Sequence, residues 1–176
     1  MDDKERFLIE HHALAKSHSN RSLFAHLAAT RALLINWLVD TAVSDAGLFH
    51  AAYGTESFPK PIMPLALRDA VRAIIGDEAE FLAFVFGAMT KESFYASLDH
   101  AGGCHIVSRV DGRDVPLGVT QFDALCHIFV ANWLEQRERF TSEHKFIRAT
   151  EFRRMLDRLN PLARAALAEA YGFDLP

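Results

Sequence analysis

The chain has 176 residues, 50% of them hydrophobic and 14 of them Phe, enough to bury a real core in one domain spanning 1–176. Its net charge is −4 and it has no long basic block, which argues against nucleic acid or an anionic membrane as partner. The N-terminal MDDKERFLIEHH is too acidic for a signal peptide, and no apolar run approaches the roughly 18 residues of a membrane span.

Most of the chain carries a helical period. Phe7, Leu8 and Leu14 among charges predict a short helix over 3–16, and SHSN at 17–20 is a loop with capping chemistry. In 21–39, the residues Leu23, His26, Leu27, Thr30, Leu34, Trp37 and Leu38 fall on one helix face. The next segment, 41–52, is apolar nearly all round and should be central, with Gly54 breaking it. After the proline-rich 58–64, Pro64 can open a helix to about Ile75, and Asp77 and Thr90 can cap helices to about Ala88 and Leu98. HIVSRV with Asp111-Gly112 predicts a small β-hairpin near 105–117. Thr120 can cap a long helix to about Phe140, and two more follow over 146–159 and 161–171, divided by Asn160-Pro161. The expected architecture is an all-α bundle with one hairpin.

Two histidines stand out. His50 follows the apolar run AGLF, and His26 lies on the apolar face of the preceding helix, with 23 residues between the two. Consecutive antiparallel helices can bring such a pair together. Each inward imidazole costs desolvation unless a polar partner is supplied, and neutral imidazole is the commonest transition-metal ligand. Beyond His50, Gly54 bends the chain where Tyr53, Thr55 and Glu56 gather a phenol, a hydroxyl and a carboxylate. On the long helix, Asn132 and Gln136 share an apolar face, whereas Asp123 and His127 face another direction. Arg109, directed inward by strand alternation, is the best anion-binding candidate. His100 and His105 flank a loop, and His11 and His12 read as surface residues. Cys104 and Cys126 lack metal-type spacing and read as buried thiols in a reducing cytosol.

The arrangement resembles the HD-domain superfamily of α-helical metal-dependent phosphohydrolases. There, a histidine on one helix precedes a second helix ending in His-Asp, and a later helix carries Ala-Asp. It is most similar to the hydrolase half of the bacterial alarmone enzymes, in which a first His precedes an AALLHD-like motif at much the spacing of His26 to His50. A later ADRLHN-like motif resembles ANWLEQ at 131–136. GLFH-x-x-YGT with AN-x-x-EQ also resembles an HD-like family of uncharacterised activity. The resemblance implies an HD-like bundle with His26 and His50 as metal ligands.

Two departures change that site. Ala51 stands where the superfamily has its metal-binding Asp, and Asn132 stands where the final Asp should be. Two imidazoles and an amide lack the charge that Mg²⁺ requires. Glu56, Asp123 or Glu135 could supply the missing carboxylate. With Asp123 as third ligand the site would suit Fe, Mn, Ni or Zn for hydrolysis or, as in inositol oxygenases, for oxidation. In that enzyme Tyr53, Glu56 and Asn132 are the catalytic candidates, and Thr55, Arg109 and Gln136 would bind a small, anionic substrate. Two alternatives stay open: a metal-free enzyme or ligand-binding protein using the same pocket, and a non-catalytic HD-like protein.

Overall fold

The computed structural model describes residues 2–12, 20–137, 139–141 and 144–175, with side chains from 23 onward in the second stretch and without that of His12. The protein is mostly helical: α1 is Asp3–His12, α2 Asn20–Asn36, α3 Thr41–Phe49, α4 Arg68–Ile75, α5 Asp77–Ala88, α6 Lys91–Ala96, α7 Val119–Arg137, α8 Ala149–Met155 and α9 Pro161–Tyr171. One antiparallel hairpin pairs β1, Cys104–Val107, with β2, Asp114–Leu117, in the register Cys104 to Leu117. The expected end of the first helix, 13–16, and most of the SHSN loop lie outside the described residues.

α3 is the axis of the bundle, packing on α2, α5 and α7. Every residue from Ser44 to Gly54 is buried. α2 contributes Leu27 and Leu34 to the core, and Trp37, just past its end, joins them, as the period predicts. Leu38, expected on the same face, is instead 79% exposed. The chain takes a left-handed turn at Leu38 (φ 56°), which ends α2 at Asn36 and swings that side chain outward. Gly47 lets α2 and α3 approach closely, because a Cβ there would lie 2.2 Å from Leu34 Cδ1.

α3 stops at Phe49, earlier than expected, in two tight turns: Ala52 N–H donates to Phe49 O at 2.8 Å, and Gly54 N–H to Ala51 O at 3.0 Å. Gly54 itself is left-handed (φ 74°), a conformation open to glycine. Pro64 opens a 3₁₀ turn, Leu65–Leu67, before α4. Thr90 caps α6 by accepting from Ser93 N–H, and Asn160 caps α9 by accepting from Ala163 N–H at 2.9 Å. Asp77 does not cap α5; it is the first helical residue, after Gly76. α7 begins at Val119, so Thr120 lies inside it, and Gln121 accepts from Gly118 N–H at 3.2 Å. Cys104 and Cys126 are buried, unpaired thiols, and burial raises the Cys126 pKa. No helix among the described residues is long and apolar enough to cross a membrane.

Candidate functional site

The close packing of α2 on α3 brings the His26 and His50 rings edge to face, centroids 5.2 Å apart. Both line one cavity of about 420 Å³, with Asn132 and Gln136 from α7 and Thr55 and Glu56 from the turn after α3. Phe86, Phe129 and Trp133 form apolar walls, and Lys91 and Arg148 also line the space.

His50 caps the C-terminus of α3. Its Nδ1 lies 2.7 Å from Gly47 O, an acceptor only, so Nδ1 carries the proton and Nε2 the lone pair. Burial, helped by the charge of nearby His26, lowers the His50 pKa from 6.5 to about 4, so the ring is neutral at pH 7. His26 is held differently: its Nδ1 donates to the carboxylate of Glu135, one helix turn beyond Ala131 on α7. The same carboxylate oxygen accepts from Arg139. Both partners of the His26–Glu135 pair are about 12% exposed. A carboxylate on Nδ1 holds the proton there, so that in the neutral ring the lone pair is on His26 Nε2.

Gln136 donates to Asn132 Oδ1 and to its backbone carbonyl, both at 2.9 Å, which locks the two amides together. Thr55 Oγ1 accepts from Phe58 N–H at 3.0 Å and shapes the turn. Glu56 is at the rim, 3.5 Å from Lys91 Nζ.

Three residues expected at the site lie away from this cavity. Tyr53 is buried, but its hydroxyl donates to Glu80 Oε1 at 3.0 Å in a separate cluster with Arg68. Burial and the Glu80 charge raise its pKa, so it remains a neutral donor. Arg109 follows the end of β1 and turns to the end of α5, donating Nε–H to Gly87 O at 2.8 Å while its backbone N–H donates to Ala88 O at 2.7 Å. It satisfies carbonyls that the helix end leaves open. Asp123 pairs with Arg158 at 3.2 Å on the other side of α7. His127, next to it, accepts from Asn160 N–H at 3.0 Å and is structural. His100 and His105 are exposed, and His11 is half-buried, stacked on Phe7 at 4.0 Å.

The donor set does not fit the metal that the HD resemblance implies. Two imidazole lone pairs are available. Each carboxylate that might complete them already has cationic or N–H partners: Glu135 on His26 and Arg139, Glu56 on Lys91, Asp123 on Arg158. Among the described residues, no group of three His, Cys, Asp or Glu could hold a metal ion. Two neutral ligands alone give a divalent ion little charge compensation.

Arg148, Lys91 and Trp133 were not legible as site residues. Arg148 immediately precedes α8 in the left-handed region, φ 70°, a conformation that costs a non-glycine residue on the order of 1 kcal/mol. Its guanidinium lies 5.5 Å from the Trp133 ring centroid and 5.6 Å from that of Tyr95.

No curated protein and no solved structure matches the chain. Residues 7–91 are similar to a family described as a domain of unknown function, DUF6817, a match that spans His26, His50 and the turn after α3 and ends before α7.

Proposed function

We propose that the protein is a divergent HD-like small-molecule enzyme that works without a metal, with His26 as general base. The observation that carries this reading is the His26–Glu135 pair at the wall of an open cavity of about 420 Å³. In the proposed reaction, His26 Nε2 takes a proton from water or a substrate hydroxyl. The imidazolium that forms keeps its Nδ1–H on Glu135, whose charge stabilises it. Neutral His50 and the Asn132–Gln136 amides orient the reacting group by hydrogen bonds. The apolar walls limit water and strengthen those bonds. The resemblance to HD-domain proteins supports the placement of the two histidines. The loss of both acidic positions supports a different use of them. Two buried thiols with no disulfide partner suit a reducing cytosol.

The test is turnover of a small-molecule metabolite extract, followed by mass spectrometry with a chelator present. The wild type is expected to convert at least one component, and His26→Gln and Glu135→Gln to do so about 10²–10⁴-fold more slowly. Turnover that appears only on adding a divalent metal, or that survives in His26→Gln, overturns the reading.

A further inference from the structure

We infer that the cavity takes a small monocarboxylate, its carboxylate gripped by Arg148 and its apolar or aromatic body against Phe86, Phe129 and Trp133. The inference rests on the cavity proposed above as the reacting site and names the class of molecule it accepts.

The chemistry is in the guanidinium's unused edge. Arg148 Nη1 donates to the Tyr95 hydroxyl. Nε is buried and has no hydrogen-bond partner, and Nη2 has none among the described residues. Nε–H and the Nη2 group share one edge of the guanidinium, the edge that holds a carboxylate through two parallel hydrogen bonds. Two other arginines of this protein use that edge in this way. Arg68 places Nε and Nη2 on the carboxylate of Glu80 at 2.7 and 2.9 Å. Arg154 places the same two nitrogens on Asp99 at 3.0 and 2.7 Å. Arg148 lines the cavity, and no carboxylate among the described residues lies on its fork.

Charge selects a monoanion. Among the described residues, the other Lys or Arg lining the cavity is Lys91, which is paired with Glu56. Arg139, near the site, is paired with Glu135. A phosphate dianion would need a second uncommitted cation; a carboxylate needs one. Tyr95 and Trp133 flank the guanidinium, restricting its rotation, and the left-handed backbone at Arg148 sets where the side chain leaves the chain. Phe86, Phe129, Trp133 and Phe140 supply an apolar side of the cavity, against which an apolar ligand body can pack.

The experiment is ligand binding to the full chain, read by calorimetry and thermal shift, with 3-phenylpropanoate, indole-3-acetate and hexanoate as probes. Their neutral amides and phenyl phosphate serve as comparisons. At least one acid is expected to bind saturably, at least tenfold more tightly than its own amide and than phenyl phosphate. Arg148→Gln should lose at least tenfold for that acid and nothing for the amide. Arg148→Lys should recover only part of the loss, because an ammonium has no fork. Arg154→Gln, whose partner is Asp99, should bind as the wild type does. Equal binding of acid and amide, undiminished acid binding in Arg148→Gln, tighter binding of phenyl phosphate, or no saturable binding by any of the acids overturns the inference. The acid–amide comparison uses only the wild type, so it stands if Arg148→Gln fails to fold. Loss of acid preference with His26-dependent turnover intact sinks this inference alone. Acid preference without any turnover sinks the proposed reaction alone.

Discussion

Two polar clusters are anchored three residues apart just past the end of α3, one through Tyr53 and the other through His50. In the first, Glu80 accepts from the Tyr53 hydroxyl, from Arg68 through two nitrogens and from Arg72 at 3.4 Å. Both carboxylate oxygens are engaged, and the Arg68 guanidinium lies 3.7 Å over the Phe84 ring. That cluster is closed: each of these groups has another protein group as its partner. In the second, His26 and His50 spend Nδ1 on the protein, on Glu135 and Gly47 O, and keep Nε2 at a cavity. Arg148 spends Nη1 and keeps an edge. Buried polarity is common to both. The second cluster differs in its unspent hydrogen-bonding capacity beside empty volume, and that marks a site.

The comparison predicts opposite consequences of mutation. Removing Glu80 strands Arg68 and the Tyr53 hydroxyl together. Glu80→Ala should therefore cost about 3–5 kcal/mol of stability in urea denaturation, with ligand binding lost only as the fold is lost. A stable Glu80→Ala protein with a damaged cavity would reverse the roles of the two clusters.

Acid should weaken the fold through the open cluster. The unfolded chain takes a proton on His50 near pH 6.5, the folded chain only near 4. Between those values the unfolded state binds more protons, so stability falls as pH falls through this window and the loss is complete near pH 4. The full difference corresponds to about 3 kcal/mol. His127, also lowered by burial, acts in the same direction. Urea denaturation at pH 7, 5.5 and 4 should show the decline, and His50→Gln should flatten it. Parallel curves for wild type and variant would mean that His50 is not buried neutral.

The smallest effect is expected at Asp123. Its pair with Arg158 is partly exposed, 32% on the Asp123 side, so Asp123→Asn should cost at most about 1 kcal/mol. It should leave ligand binding and turnover unchanged. A loss of turnover above threefold would bring Asp123 back to the site.

The helical bundle was readable because its apolar residues repeat at helical spacing, and the hairpin because Asp111-Gly112 interrupts β-branched residues. The meeting of His26 and His50 was readable from their places on successive apolar faces. What each polar residue beside them does was not. Tyr53 and Thr55 are two residues apart in one turn, yet one faces Glu80 and the other the cavity. One-residue steps around a turn carry no period to read. Arg109 looked like an anion ligand because alternation along a strand would direct it inward, but the strand ends at Val107 and the end of α5 supplies its carbonyl partners. Arg148 joins the site from a segment with no motif, through a left-handed backbone angle that no residue type there announces. Glu135 was one of three carboxylates that could have moved onto a metal; its position against His26 Nδ1 depends on how α7 crosses α2, which only tertiary packing determines.

The central claim is that His26 and His50 hold Nδ1–H on the protein and present Nε2 to a cavity as a hydrogen-bonding group and not as a metal ligand. The most direct measurement is the long-range ¹H–¹⁵N imidazole spectrum of the full chain at neutral pH, before and after one equivalent of Zn²⁺. The account predicts Nδ1–H tautomers for both rings, assigned through His26→Gln and His50→Gln, and Nε2 resonances that Zn²⁺ leaves in place. Movement of both Nε2 resonances to metal-bound positions at one equivalent of Zn²⁺, or an Nε2–H tautomer at either ring, would contradict it.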